Sequence, residues 1–429
     1  MTWTIPIFLG SLLAAMAIGM PIAFALIICG IALMAYMGLM DAQIVAQNVL
    51  NGVDNFVLLA APGFILAGEI MNAGGLSKRI VNIAVAFVGH VRGGLGYVAI
   101  LSATIIAALS GSAVADAAAL SAFLIPMMVA AGHDKARAGG LIASAAIIAP
   151  IIPPSIPFVL FGVLANISIT KLFIAGIVPG VLLAISLCVA WWIVARRENV
   201  KPLPKASAAE RMKALVDGSW ALGLPGIIVF GLKFGVFTPT EAAMVAAVYA
   251  LFVAMFIYSE LKLKDLFGIL MQAAVTTSVI MFLVATALVS GWLITVSDIA
   301  KSVVALVEPF MGNQTLLLIA IMVLVMIVGT ALDLGPTVLI LTPILMPIIK
   351  AANIDPVFFG VLFIINNAIG LITPPVGTVL NVVAGVGKIS MEDVTKGIGP
   401  FLLAETIILF LMVLFPQLVT GPANYFLGR

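Results

Sequence analysis

Apolar residues run along this chain in stretches far longer than a globular core element needs, and the polar positions between them are few and clustered. Stretches at about 4–37, 57–74, 94–109 and 171–195, and again at 218–258, 266–294, 315–332 and 398–418, approach or exceed the roughly 20 apolar residues that cross a bilayer as a helix. Two shorter, more polar segments, 77–92 and 297–309, predict amphipathic helices lying in the membrane interface. The remaining apolar stretches are interrupted. Gly, Ser or Pro breaks 110–132 and 333–352, which fit no plain span, and a double proline divides 138–166 and 357–386. Because Gly19-Met20-Pro21 interrupts 4–37, five or six crossings per half are both open.

Composition confirms the class. Of 429 residues 63% are apolar, and only 9% are charged, against roughly 25% in soluble domains. Such a chain cannot cover a soluble surface, which excludes a cytosolic enzyme, a disulfide scaffold, a disordered protein and a coiled coil. It leaves an all-α polytopic membrane protein of at most about a dozen spans. The net charge of +2 offers no field for nucleic acid. Cys29 and Cys188 lie in apolar runs and read as small hydrophobes. His90 and His133 sit in polar connections, which argues against a histidine metal site. The first apolar run continues to about Met37, too long for a cleavable signal.

Six of the 20 basic residues fall between Arg196 and Lys213. The segment 196–214 is therefore expected to be a cytoplasmic linker by the positive-inside rule, with Trp191 and Trp192 as an interface anchor before it. It divides the chain into halves, 1–195 and 215–429. Shifting the sequence by 221 positions places Pro126 on Pro347, Asp134 on Asp355, Pro153-Pro154 on Pro374-Pro375 and Pro179 on Pro400. Each half thus carries one interrupted stretch (110–132; 333–352) and one double-proline stretch (138–166; 357–386). In a bilayer core, non-helical backbone must be buried in protein or line a cavity. Matched breaks in two repeats predict re-entrant hairpins and broken helices around a transport site near the midplane.

The candidate site residues lie at those breaks. Ser110, Gly111, Ser112 and Asp116 make the first hairpin tip, where hydroxyls and free carbonyls suit a hard cation and helix N-terminal amides suit an anion. Asp333, Gly335, Pro336 and Thr337 make the second. Asp333 is an acid within an apolar stretch, functional by default, with a helix N-cap as the alternative role. Pro153, Pro154 and Ser155, and Thr373, Pro374, Pro375, Gly377 and Thr378, mark the double-proline breaks, where missing amide donors leave carbonyls free for a cation. Asn366 and Asn367 add amide oxygens before the second break. Ser112, Asp333 and Thr373 are the expected Na⁺ ligands. Glu69, Glu241 and Glu405 read first as caps or helix contacts. No GxxxxGK[ST] motif is present, so ATP drive is not expected, and no histidine lies in a span to activate a nucleophile. The chain is not expected to be an enzyme.

GSAVADAAAL (111–120), IIAPIIPPSIPFVLFG (147–162), GVFTPTEAAMVAAVYALF (235–252), LTPILMPI (341–348) and IGLITPPVGTVLNV (369–382) resemble the large membrane (M, DctM-type) permease of tripartite ATP-independent periplasmic (TRAP) transporters. The resemblance spans essentially the whole chain, and LAGEIMNAGGLSKRIV (66–81) is similar to the subgroup handling 2,3-diketogulonate-like sugar acids. It implies two inverted repeats, an elevator-type scaffold with an embedded transport domain, and Na⁺-coupled uptake of an organic acid (C4-dicarboxylate, sialic acid or sugar acid) across the bacterial inner membrane. It also implies a soluble periplasmic binding protein and a small four-helix membrane subunit as partners, Na⁺ as coupling ion and no organic cofactor. The second tip often reads Asp-Leu-Thr-Pro-Thr in that family. Here Gly335 stands for the first Thr, so a backbone carbonyl is the ligand available there. A stand-alone ion-coupled carboxylate carrier and a non-transporting membrane scaffold are the alternatives.

Overall fold

The computed structural model describes residues 3–198, 200 and 202–427, which form helices and connections without a strand among them. The first half comprises α1 (Thr4–Ala17), α2 (Ile22–Met37), α3 (Ala42–Val53), α4 (Ala60–Ala73), α5 (Leu76–Val88), α6 (Gly94–Ser110), α7 (Ala113–Ala130), α8 (Lys135–Ala146), α9 (Ile156–Ala165) and α10 (Ile169–Ala195). The second comprises α11 (Ala208–Lys233), α12 (Pro239–Phe252), α13 (Leu263–Val296), α14 (Ile299–Val307), α15 (Gln314–Gly329), α16 (Leu334–Ala351), α17 (Pro356–Gly370), α18 (Thr378–Gly387), α19 (Met391–Leu414) and α20 (Gln417–Leu427). Among the described residues, eight helices are long and apolar enough to cross a membrane.

Local chemistry sets the boundaries, and it recurs. Ser112, Asp134, Ser155 and Ser168 cap α7 to α10 with their side chains. Asp355 and Ser390 cap α17 and α19 in the same way. Helices α7 and α16 each have 18 residues, and α9 and α18 each have 10. Each side-chain cap satisfies amides that a helix start leaves open, and in a low-dielectric surround that requirement is strict.

Several sequence expectations need correction. The turn at Gly111–Ser112 joins α6 to α7, so the first hairpin spans 94–130 and not 110–132; the second joins α15 to α16 and spans 314–351, not 333–352. The expected plain spans at 94–109 and 315–332 are their first arms. The broken helices run 135–165 and 356–387. Residues 4–37 form two helices, α1 and α2, packed on each other. Helix α3 escaped notice because it is amphipathic. With α4 it matches the single 34-residue α13, and an Asx turn at Asn55 is what interrupts the first-half version. The irregular linker is shorter than 196–214, since a Ser207–Glu210 capping box starts α11. Trp191 is no interface anchor: it is fully buried, and its Nε1 donates to Gly93 O at 2.7 Å. Trp192 is exposed beneath the Arg196 guanidinium, 3.5 Å from the ring centroid.

The helices pack in two sets. Helix α12 lies on α4, and α13 runs along α2, α3 and α4. In the other set α8 packs on α19, α15 on α17, and the halves exchange partners: α7 meets α18 while α16 meets α9. Helix α5 lies between α11 and α6, and α14 rests on α16. Within lipid, helices gain little from apolar burial and associate through close approach of small residues. Between α8 and α19 a Cβ on Gly397 would lie 2.0 Å from Ala136 O, and one on Gly140 2.5 Å from Gly397 C. Glu198, beyond the end of α10, meets Arg137 at the start of α8, while Gly176 and Gly180 lie on Ile151 and Ile152 beyond the end of α8, so α10 runs antiparallel to α8. Helix α19 runs parallel to α8, with Gly397 on Ala136 and Glu405 beside Ser144, so the matched α10 and α19 run antiparallel.

Two polar anchors sit outside the spans. Arg79 on α5 bonds Glu260 at 2.7 Å and lies 3.6 Å from the Tyr258 ring centroid, tying α5 to the opposite half. Glu198, beyond α10, pairs with His133 Nδ1 at 2.8 Å and Arg137 Nη1 at 3.1 Å, tying the α7–α8 turn to α10. Burial opposes ionisation of Glu198, but the hydrogen bonds and charges of His133 and Arg137 outweigh it and hold the carboxyl below its usual range.

Two outcomes follow from this packing. Gly397→Val should destabilise the protein by about 2 kcal/mol or more, because its Cβ meets backbone that cannot move aside; a thermal melt and the monodisperse yield read this. A carboxyl whose folded pKa is depressed stabilises at higher pH and loses that contribution as it protonates. The Tm deficit of Glu198→Gln should therefore be present at pH 7 and close as the pH falls below 4.5, the ordinary value of the group.

Candidate functional site

Two clusters form where the hairpin tips meet the helix breaks. In the first, α6 ends at Gly111, whose φ of +62° suits glycine. A Cβ there would lie 2.5 Å from Pro154 O, so only glycine lets the tip touch the break. The extended Ser112 then starts α7: its Oγ accepts from Ala115 N at 3.4 Å, and its own N donates to Ser110 Oγ at 3.3 Å. After Ala146 the chain unwinds through buried turns to a cis Pro153-Pro154 bond. Ser155 starts α9, accepting from Phe158 N at 3.2 Å and donating to Pro150 O at 2.5 Å. Asp116, one turn into α7, is fully buried; the Ser110 hydroxyl stands beside it, but neither carboxylate oxygen has a bond of normal geometry.

In the second cluster, Gly329 at the end of α15 lies against Gly370 at the end of α17, where a Cβ on Gly370 would sit 2.7 Å from Gly329 C. Asp333 stands at the N-cap of α16, yet its side chain does not cap it. Its Oδ1 instead accepts from Thr378 Oγ1 at 3.3 Å, joining the tip to the start of α18. Thr337 Oγ1 donates to Asp333 O at 2.8 Å, and Thr373 Oγ1 to Ile369 O at 2.8 Å. Pro374-Pro375 is cis, and Gly377 precedes α18 with φ +51°. Gly335 has open space where a Cβ would go. Asn366 Nδ2 donates to Met322 O at 2.5 Å, while Asn366 Oδ1 and both polar atoms of Asn367 are buried without partners.

The electrostatics come from backbone. Four helix N-termini (α7, α9, α16 and α18) converge in two pairs, each carrying about half a positive charge. The C-terminal carbonyl ends of α6, α8, α15 and α17 face the same clusters. No Lys or Arg lies within 110–132 or 333–349. A Ser or Thr hydroxyl that donates its proton keeps two lone pairs for a cation, as Thr373 and Thr378 do. The clusters differ in access: Ser110, Gly111 and 147–155 are buried, whereas Asp333, Pro375 and Val376 are exposed.

The expected Na⁺ ligands are thus split, Ser112 in one cluster and Asp333 with Thr373 in the other. Glu241 forms an exposed capping box with Thr238. Glu405 is fully buried, beside Ser144 of α8, with no bond of normal geometry between them. The sequence reading missed Asn381, whose Nδ2 donates to Val376 O at 2.9 Å across the second break. Its place one turn after Gly377 was the available signal.

The family model described as "Tripartite ATP-independent periplasmic transporter, DctM component" matches residues 9–418. The chain is 55% identical over 419 residues to the 2,3-diketo-L-gulonate TRAP transporter large permease YiaN of Escherichia coli K12, covering 98% of this chain and 99% of that one. It is 39% identical to the sialic acid TRAP large permease SiaM of Vibrio cholerae, over 96% of each chain. Among solved structures, the YdaH transporter of Alcanivorax borkumensis shares the fold, with a TM-score of 0.63 at 14% identity over 89% of this chain and 91% of that one.

Removing the Ser155 hydroxyl leaves Phe158 N and Pro150 O unpaired in a buried break. Ser155→Ala should cost about 1–2 kcal/mol while Ser155→Thr largely restores it, as read by thermal melts in detergent.

Proposed function

From the premise that this chain belongs to the DctM component family of TRAP transporters, we propose that it is the large permease of a Na⁺-coupled importer that receives a sugar acid from a periplasmic binding protein. The chain is a multi-pass protein of the bacterial inner membrane and a transporter component, not an enzyme. The observation that carries the finer reading is the pairing of four helix N-termini at two hairpin-and-break clusters that hold no basic side chain.

A carboxylate entering such a site needs positive potential in a low dielectric. Helix N-termini supply part of it, and Na⁺ bound at the opposed carbonyl ends supplies the rest. Substrate affinity then depends on Na⁺, which is coupling. Ser112 would serve one ion, and Asp333 with Thr373 another. The unpartnered oxygens of Asp116, Asn366 and Asn367 support cation or water positions there, since buried polar atoms are rarely left unpaired. The exposed second cluster is the entry for substrate. Similarity to permeases for 2,3-diketo-L-gulonate and sialic acid supports an acidic sugar as cargo.

Two packed sets, linked by α5 and α14 and meeting directly where α13 lies on α16 and α4 on α6, support an elevator in which the set carrying both clusters slides against the other. The antiparallel pairing of matched α10 and α19 supports inverted repeats. A small four-helix subunit would complete the complex in the membrane.

The test is uptake into proteoliposomes containing this chain and its small subunit, with sugar acids, with and without binding protein, under an inward Na⁺ or K⁺ gradient. Uptake should require both Na⁺ and binding protein. Losing one ligand worth about 1 kcal/mol, Ser112→Ala or Asp333→Ala should each raise the Na⁺ concentration for half-maximal uptake about fivefold. Uptake without binding protein would establish a stand-alone carrier, and equal drive by K⁺ would remove Na⁺ from both clusters.

A further inference from the structure

Helices α10 and α19 diverge on their outer side to leave a groove of about 590 Å³. Ile185 and Val189 from α10, and Leu403 and Ile407 from α19, line it and are half or more exposed. Its wall is otherwise apolar but for Ser186, whose hydroxyl donates to Leu183 O, and one end, where Arg137 and Arg197 reach it. That end is where α10 runs into the basic linker, so it lies at the cytoplasmic headgroup level. The Arg137 guanidinium is partly neutralised by Glu198 at 3.1 Å. Arg197 is exposed and has no ion pair among the described residues. Arg92, which donates to Arg196 O at 3.0 Å, and Arg196 itself keep the rim net positive.

We propose that this groove holds one anionic phospholipid of the cytoplasmic leaflet, its phosphate on Arg197 and Arg137 and one of its two acyl chains along α10 and α19. Size selects the occupant. A membrane-crossing helix about 10 Å wide and 30 Å long fills roughly 2,400 Å³, four times the groove, and would lie over it; an acyl chain fits within. Charge selects the lipid class. A guanidinium binds phosphate through paired hydrogen bonds, and basic pockets between helices on the cytoplasmic side favour acidic headgroups. The lipid would then bridge two matched helices from opposite halves at a point where their side chains leave a gap.

The experiment measures lipid retained by the purified protein after exchange into phosphatidylglycerol or phosphatidylcholine nanodiscs, read by native mass spectrometry after detergent release. Wild type should retain one phosphatidylglycerol in preference to phosphatidylcholine. Arg197→Gln should reduce that preference about fivefold, the equivalent of roughly 1 kcal/mol per arginine near a headgroup. Ala404→Trp, which fills the groove from its wall, should lower retention of both lipids. Arg197→Gln changes only an exposed side chain, so it reads the site even if Ala404→Trp fails to fold. No retained lipid, equal retention of both lipids, or an unchanged preference in Arg197→Gln would overturn the proposal. Displacement of the lipid by added small subunit would do so too, by identifying a helix as the occupant. No arm depends on uptake, so the result stands apart from Na⁺ coupling.

Discussion

Backbone that leaves a helix inside a bilayer must find new partners for every N–H and C=O it releases, because no water competes for them. That constraint organises this molecule. It breaks helices at the two double prolines, and at each break a hairpin tip and a capping hydroxyl supply what the helix has lost. Ser155 is the plainest case, holding Phe158 N and Pro150 O with one hydroxyl. Asp333 and Thr378 do the corresponding work in the second half by joining tip to break.

The same breaks create the electrostatics. Converging N-termini give positive potential fixed in the backbone, and it needs no buried Lys or Arg with its desolvation penalty. Opposed carbonyl ends give negative potential a few residues away. A protein that is 63% apolar thus carries fixed potential of both signs beside its helix breaks. The halves are not equivalent in access. The first cluster is sealed by Gly111 against Pro154, while the second leaves Asp333 and Pro375 open. Matched breaks in the two halves thus yield one buried cluster and one exposed cluster.

Packing between helices relies on small residues where the backbone must approach closely, at Gly140 with Gly397 and at Gly329 with Gly370. Charged contacts stay at the edges. Arg79 and Glu198 anchor an interface helix and a turn from outside the spans, each held by a partner of opposite charge that offsets its burial. The burial of Trp191 between His133 and Phe401 belongs to this scheme, since its indole finds a backbone acceptor at Gly93.

The sequence alone determined the membrane class, the two double-proline breaks and the residues around them. Each follows from composition or from covalent facts about proline, which act locally and are visible in a linear string. The hairpin limits were misplaced because α6 and α15 read as ordinary spans: nothing in an apolar run says that it turns back at Gly111 or at 330–333. Tertiary structure alone decided that Asp333 bonds Thr378 rather than capping α16, and that Trp191 is buried and not anchored at the interface. It also decided that the expected cation ligands divide between two clusters. Those outcomes depend on which helix lies against which, and in lipid that is settled by side-chain shape and close backbone approach between segments up to hundreds of residues apart.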